Sequence, residues 1–189
     1  VSQYKTEVDY DPDYSTFLPR MWSSSGSHPQ VYMQKTGLRP GQKPSFADNL
    51  YFMFTHQIGH MYLRYFMFNF SGRESDIQDA DWLGPLASNK DLPETIKNNK
   101  GRNQYFMIPF ILGLIGFFFQ FNKDPKGFSA TLMFFILTGV ALVIYLNSPP
   151  VEPRERDYIY AGSYYVFAIW IGLAIIAIGN FLAKRNEKL

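Results

Sequence analysis

The sequence predicts a mainly α-helical, polytopic membrane protein with about three spanning helices and a polar N-terminal segment outside the bilayer. Three observations carry this. The stretches 103–122, 127–151 and 158–183 contain no Asp, Glu, Lys or Arg, and each has a nearly unbroken apolar, aromatic-rich core. A helix rising about 1.5 Å per residue needs roughly 20 apolar residues to cross a hydrocarbon core of about 30 Å, so all three qualify, the first only just. Residues 1–103, by contrast, balance their Lys and Arg with as many Asp and Glu and hold most of the Pro, Ser and Asn. The mean hydropathy of −0.15 blends these two halves, which makes charge-free run length the better guide. The chain divides accordingly into 1–103 and 104–189.

Residues 1–48 are rich in Pro, Gly, Ser and Tyr, with turn signals at DYDPDY, SSSGSHP and LRPGQKP, and read as an irregular loop. After a cap at Asp48, NLYFMFTHQIGHMYLRYFMFNF reads as a helix near 49–70. His56, His60 and Arg64 would lie one turn apart on one face of it. A lone Arg in mid-bilayer costs about 2.5–3.5 kcal/mol on insertion scales, so this helix is placed at the membrane interface or buried against other spans. Stretch 71–103 reads as a polar loop with short helical turns. The spans follow at 105–121, with Pro109 in its first turns, at 128–146 and at 160–183. Gly113 with Gly116, and Ala168 with Gly172, are small residues that allow close helix contact in lipid.

Orientation follows from positive charge in the short links. Lys123 and Lys126 mark one side, and Lys184, Arg185 and Lys188 mark that same side. The link between the second and third spans sets Arg154 and Arg156 against Glu152, Glu155 and Asp157 and has no positive excess. Residues 1–103 and 147–158 are therefore expected on the extracytoplasmic face, in a bacterial inner membrane. The net charge of +2 carries no basic run, which argues against a nucleic-acid partner. The chain has no cysteine, hence neither a disulfide framework nor a thiolate metal site. It starts at Val1 without a signal-peptide pattern and closes with KRNEKL after a membrane run, and it reads as an internal piece of a longer polytopic protein.

Three constellations could carry chemistry. His56-Gln57-Ile58-Gly59-His60 is a near-miss to the H-E-x-x-H zinc-protease signature, but Gln57 stands where the general-base Glu must be, and the remaining histidine, His28, lies in a loop. No metal is expected, and the plainer reading is two amphipathic histidines at a membrane interface or in a polar cluster with Arg64. Arg64, Asn69, Arg73, Asp76 and Gln78 set two guanidinium groups and carboxylate chemistry beside aromatic rings. That is either packing or a headgroup site. Pro153-Arg154-Glu155-Arg156-Asp157-Tyr158 concentrates charge where the chain re-enters the bilayer. It is either a self-neutralising cap of snorkelling side chains or a phosphate site, with Arg154 and Arg156 as clamps oriented by Glu155 and Asp157.

The runs HQIGHMYLRYFMFNFSGRESDIQ, NKGRNQYFMIPFILGLIGFFFQ and VIYLNSPPVEPRERDYIYAGSYYVFAIWIG resemble the bacterial membrane family known as domain of unknown function 2723, related to protein O-mannosyltransferase-like proteins of the C superfamily of glycosyltransferases. The resemblance covers essentially the whole chain. It implies a bundle of many helices, of which about three lie here, and an enzyme moving a sugar from a polyprenyl-phosphate donor to a Ser or Thr hydroxyl of an acceptor protein. It implies Arg154 and Arg156 at the leaving phosphate, with Arg64, Arg73 and Asp76 as a second cluster. It also places the general base in an upstream loop outside this chain, which alone would be inactive. The family often has Trp where this chain has Leu63 and Phe68. Two other classes stay open: a transporter or flippase of a lipid-linked substrate, and a non-catalytic membrane scaffold.

Overall fold

The computed structural model describes residues 18–90, 92–152 and 154–186. The DYDPDY turn, Pro153 and Lys188 lie outside the described residues. The fold is mainly helical, and two helices are long and apolar enough to cross a membrane, Pro125–Leu146 and Asp157–Asn186.

Residues 18–70 hold more regular structure than their composition implies. Helix α1 (His28–Thr36) begins with a Pro in its first turn and stops at Gly37, whose φ of 74° is the left-handed closure that glycine tolerates. The SSSGSHP turn signal is thus the start of a helix. A continuous helical rod then runs through α2 (Phe46–Phe52), a π-helical stretch (Met53–Leu63) and α3 (Arg64–Phe70). Its cap is Ser45, three residues earlier than expected: Ser45 Oγ accepts from the Asp48 N–H while the Asp48 carboxylate accepts from the Ser45 N–H, a reciprocal capping box. In the π-helical stretch the ladder widens by one residue, as where the Arg64 N–H donates to the Gly59 carbonyl.

Beyond the rod, β1 (Gly72–Arg73) pairs antiparallel with β2 (Asn103–Gln104), clasping a polar loop that carries the short α4 (Glu94–Lys97). Gly72 sits at φ 140°, and a Cβ there would lie 2.7 Å from the Asn103 carbonyl, so the clasp needs a glycine.

Helix α5 (Ile108–Lys123) starts three residues later than the span expected at 105–121, because Phe106 and Met107 both adopt positive φ and break the ladder. Its 16 residues reach about 24 Å, short of a full crossing. Asp124 turns the chain and caps α6 (Pro125–Thr138), its side chain accepting from the Gly127 N–H. Gly139 interrupts the second long helix before α7 (Val140–Leu146), and a Cβ there would meet the Tyr62 hydroxyl at 2.4 Å. A 3-10 turn (Asp157–Tyr160) leads into α8 (Ala161–Asn186).

Among the described residues, helices α5 and α8 make the most extensive contact. Gly113 faces the Phe167 ring and Gly116 the Trp170 carbonyl, so both let the two backbones approach closely. The Ala168 and Gly172 pair expected to do the same does not: Ala168 is exposed and nothing lies within 4 Å of a Cβ at Gly172. Trp170 Nε1 donates to Gln120 Oε1 at 2.7 Å, and Thr131 Oγ1 reaches the same oxygen at 3.0 Å, so one amide ties α5, α6 and α8. The rod's C-terminal end packs onto this bundle. Phe66 and Phe70 join Phe128, Val166, Phe167 and Trp170 in one core, while Tyr62, Tyr65 and Phe68 meet Val143 and Tyr160 in another. Edge-on ring pairs such as Phe66 with Phe167, 4.8 Å apart, add about 0.5–1.5 kcal/mol each beyond burial.

Candidate functional site

Docking the rod on the bundle brings the HQIGH and GRESDIQ segments against the charged link between α7 and α8. The junction is Glu155. Its Oε1 accepts from Arg64 Nη1 at 3.0 Å and from the Asp79 N–H at 2.9 Å, and its Oε2 accepts from Arg73 Nη2 at 3.0 Å. Arg64 also donates to the carbonyls of Ala80 (2.6 Å) and His60 (3.0 Å). Its side chain is 5% exposed. A charge that would be costly alone is thereby neutralised and hydrogen-bonded. Both guanidinium groups lie over the Phe68 ring, at 5.2 Å and 4.8 Å.

Next to this junction opens a cleft of about 370 Å³, lined by His56, His60 and Tyr65 from the rod, Gln78 and Asp79 from the loop, Lys35 from α1, and Glu152, Arg154 and Glu155 from the link. His56 and His60 stack with ring centroids 5.4 Å apart, and His60 Nε2 lies 3.1 Å from Asp79 Oδ1, which favours the Nε2-protonated tautomer. Asp79 adopts a φ of 63°, a conformation Asp tolerates, and so offers its carboxylate to His60 and its N–H to Glu155 together. His56 is 5% exposed, and neither ring nitrogen has a hydrogen-bond partner. Burial, aided by the positive charge of Lys35, pushes its pKa down to about 3. Burial and then Arg64 lower His60 as well, against the opposing bond to Asp79. Both imidazoles are therefore neutral at pH 7. Tyr65 is pushed up to about 12 by burial and then by Glu155, and it remains a phenol.

The residues singled out in the sequence separate into different roles. Arg154 lines the cleft, is exposed, and has its guanidinium 3.5 Å from the Tyr158 hydroxyl. Arg156 is ion-paired with Glu152 and does not line the cleft, so the two arginines do not present a joint clamp. Glu155 orients Arg64 and Arg73. Asp157 opens the 3-10 turn. Asp76 is apart, its Oδ1 accepting from Asn99 Nδ2 at 2.6 Å to hold the loop. Asn69 Nδ2 donates to the Tyr65 carbonyl. Gln57, at the position of the protease Glu, is 2% exposed and donates to Asn147 Oδ1 and the Ser148 carbonyl, both at 2.9 Å. It fastens the rod to the link. Among the described residues no group of three His, Asp or Glu side chains is placed to hold a metal ion.

Residues 1–54 match a family of unknown function, DUF8416. No curated protein and no solved structure matches the chain. The matched stretch includes Lys35 of the cleft and ends just before His56. Sequence reasoning missed Lys35, Asp79 and Glu152 as cleft residues. Lys35 is the one basic residue in the last turn of α1, a signal that needed α1 to be recognised first. Asp79 gives no local signal of its backbone conformation.

Proposed function

We propose that the chain is part of an integral-membrane glycosyltransferase, protein O-mannosyltransferase-like, which moves a sugar from a polyprenyl-phosphate donor to a Ser or Thr hydroxyl of an acceptor protein. The observation that most supports this reading is the cleft itself, where two of the sequence blocks carrying the family resemblance converge beside helices long enough to span a bilayer. In this reading α5, at about 24 Å, serves as the third span together with the apolar residues 105–107 that precede it, the rod lies at the interface, and residues 1–103 and 147–158 face outward from a bacterial inner membrane.

Negative charge builds on the lipid phosphate as the glycosidic bond to it breaks, and fixed donors near that oxygen lower the barrier. Arg154 and Lys35 line the cleft and have no carboxylate partner within 4 Å among the described residues. They are the first phosphate contacts in this reading. Arg156, held by Glu152, is the second line, and Arg64 and Arg73 position Glu155 and hence the link. Neutral His56 and His60 leave the cleft's positive charge to Lys35 and Arg154.

The test is sugar transfer by the purified protein in nanodiscs, with a polyprenyl-phosphate hexose labelled in the sugar and a Ser/Thr-containing acceptor. A new alkali-labile glycosidic bond on the acceptor is the expected product. Labelled donor that crosses the bilayer with no new bond would instead make this a flippase, and neither result would leave a scaffold.

A further inference from the structure

The loop between β1 and β2 satisfies many of its polar groups internally. Asp76 Oδ1 accepts from Asn99 Nδ2, and Arg102 donates to Asn89 Oδ1 at 2.6 Å and to the Glu74 carbonyl at 3.2 Å. Several large apolar side chains of the same region are instead left uncovered. Leu86 is 93% exposed, and Trp82, Tyr105 and Phe106 are exposed as well. Single exposed apolar residues are ordinary, whereas a group of them along one edge marks a contact.

Backbone bonds gather these residues at the start of α5. Trp82 bridges to Arg73, and the Leu83 N–H donates to the Gly72 carbonyl at 2.9 Å. The Tyr105 N–H donates to the Ser71 carbonyl at 2.9 Å, and Gln104 Nε2 reaches back to the Ala87 carbonyl at 3.1 Å. Leu86 lies between, in a turn over 84–87 closed by the Ala87 N–H on the Gly84 carbonyl, with Pro85 at the position where its fixed φ suits a turn. A second turn, over 105–108, holds Phe106 and Met107 at φ 54° and 59°. L side chains adopt that conformation at a cost. Phe106 in water returns nothing against the cost, whereas Phe106 in hydrocarbon does.

The edge runs on into the apolar flank of α5. Trp82 and Phe110, in the first turns of α5, line one apolar groove of about 400 Å³ with Leu63, Phe66 and Met67 of the rod. Helix α5 itself exposes Ile108, Ile111, Ile115 and Phe118, and it lies along α8, one of the two helices long enough to cross a membrane. Trp and Tyr at the end of an apolar helix settle at headgroup depth in a bilayer.

We propose that Trp82, Leu86, Tyr105 and Phe106 form a docking edge for the lipid surface, which seats the β1–β2 loop on the bilayer where α5 enters it. Apolar interfacial faces lie about 5–10 Å into the headgroup and acyl boundary, and Leu86 reaches that depth. The partner is the lipid surface and not a particular headgroup, because the four side chains are rings and an aliphatic group without charge. The proposal rests on α5 lying in the bilayer, as in the proposed function, and does not depend on sugar transfer. Asp79, on the same segment as Trp82, lines the cleft, so the seat fixes the height of the cleft above the lipid.

The experiment places one nitroxide label at a time on the full chain, which has no cysteine of its own, in phosphatidylcholine nanodiscs. Leu86→Cys carries the label on the edge, Thr95→Cys on α4 and Ile115→Cys in the middle of α5, all at exposed positions. Relaxation by oxygen, which concentrates in hydrocarbon, is compared with relaxation by a water-soluble nickel complex. The Leu86 label should lose most of its nickel accessibility and keep its oxygen accessibility, the Thr95 label should respond to nickel as in water, and the Ile115 label should respond to oxygen alone. If Leu86 is as open to nickel as Thr95 while Ile115 is in hydrocarbon, α5 spans and the docking edge is wrong. If Ile115 is open to nickel, the span and the edge fail together. A Leu86 label shielded from both reagents would put protein rather than lipid over the edge and would also overturn the proposal.

Discussion

Arg64 and Glu155, 91 residues apart in the chain, meet at 3.0 Å with side chains 5% and 16% exposed. This pair decides how the rod sits on the helix bundle, because Arg64 is on the rod and Glu155 is in the link that leads into α8. Removing one member of such a pair leaves the other charge desolvated and unpaired, which costs about 3–5 kcal/mol. Glu155→Gln should therefore lower the unfolding temperature in detergent markedly. Replacing both, as Arg64→Met with Glu155→Leu, should recover part of the loss, the remainder reflecting Arg73 and the Asp79 N–H, which also lose Glu155 as a partner. A single variant as stable as the wild type would show that the pair contributes nothing to docking.

Close approach of α5 and α8 depends on Gly116 more than on any other small residue. A Cβ there would lie 1.7 Å from the Trp170 carbonyl oxygen, a backbone atom that cannot swing aside. Gly116→Ala should force the helices apart, stretch the Gln120 to Trp170 bond, and cost about 1–3 kcal/mol or more. Gly172→Ala, on the same pair of helices but with nothing within 4 Å, should change stability by less than about 0.5 kcal/mol. The two variants compared by thermal unfolding make the test, and equal effects would count against the packing described here.

His56 makes stability depend on acid in a definite direction. Its folded pKa of about 3 lies below the ordinary 6.5, so between those values the unfolded chain binds a proton that the folded chain refuses. The contribution is present in full above pH 6.5 and is lost as pH falls toward 3, at about 1.4 kcal/mol per unit. His60, Asp79, Lys35 and Arg64 share its surroundings. Between pH 7 and pH 5 the wild type should lose about 2 kcal/mol through this group. His56→Leu should flatten that slope and should not destabilise at pH 7, since the ring nitrogens it removes have no partners. An unchanged slope in the variant would assign the acid sensitivity elsewhere.

Much of the helical layout was legible because it rests on charge-free runs and caps. The two long helices fall within a few residues of the expected 128–146 and 160–183, and the rod within three of 49–70. What escaped was set by tertiary contact or backbone conformation. Consecutive positive φ values at Phe106 and Met107 shorten the first apolar helix, and nothing in their side chains signals this. The Glu155 junction and the cleft beside it were half legible: Arg64, Arg73, Glu155 and Arg154 were all marked, but in two separate clusters. Only the docking of the rod shows that Glu155 belongs to Arg64 and Arg73, and that Glu152 has taken Arg156.

The topology can be read with thiols, since the chain has no cysteine of its own. Single Cys substitutions at Lys123, Val151 and Lys184 all fall on exposed positions. If residues 147–158 face outward as proposed, an impermeant thiol reagent on intact cells should label the Val151 probe, and the other two should label only after lysis. Labelling of Lys123 in intact cells would reverse the proposed orientation.

Arg154 and Arg156 differ in a way that turnover can separate. Arg154 lines the cleft without a carboxylate partner among the described residues, whereas Arg156 neutralises a Glu152 side chain that is 8% exposed. If Arg154 stabilises the leaving phosphate, its loss should cost about 2.7–4 kcal/mol of transition-state binding, roughly a hundred- to thousandfold in kcat, with the melting temperature unchanged. Lysine keeps the charge but not the fork, so Arg154→Lys should fall between wild type and Arg154→Ala. Arg156→Ala should do the opposite, lowering the melting temperature by stranding Glu152 and reducing turnover only as far as the folded fraction falls. Arg156→Ala/Glu152→Gln should restore stability and activity together. Sugar transfer at wild-type rates by Arg154→Ala would remove the phosphate role from the cleft and leave the charged link as a membrane-surface cap.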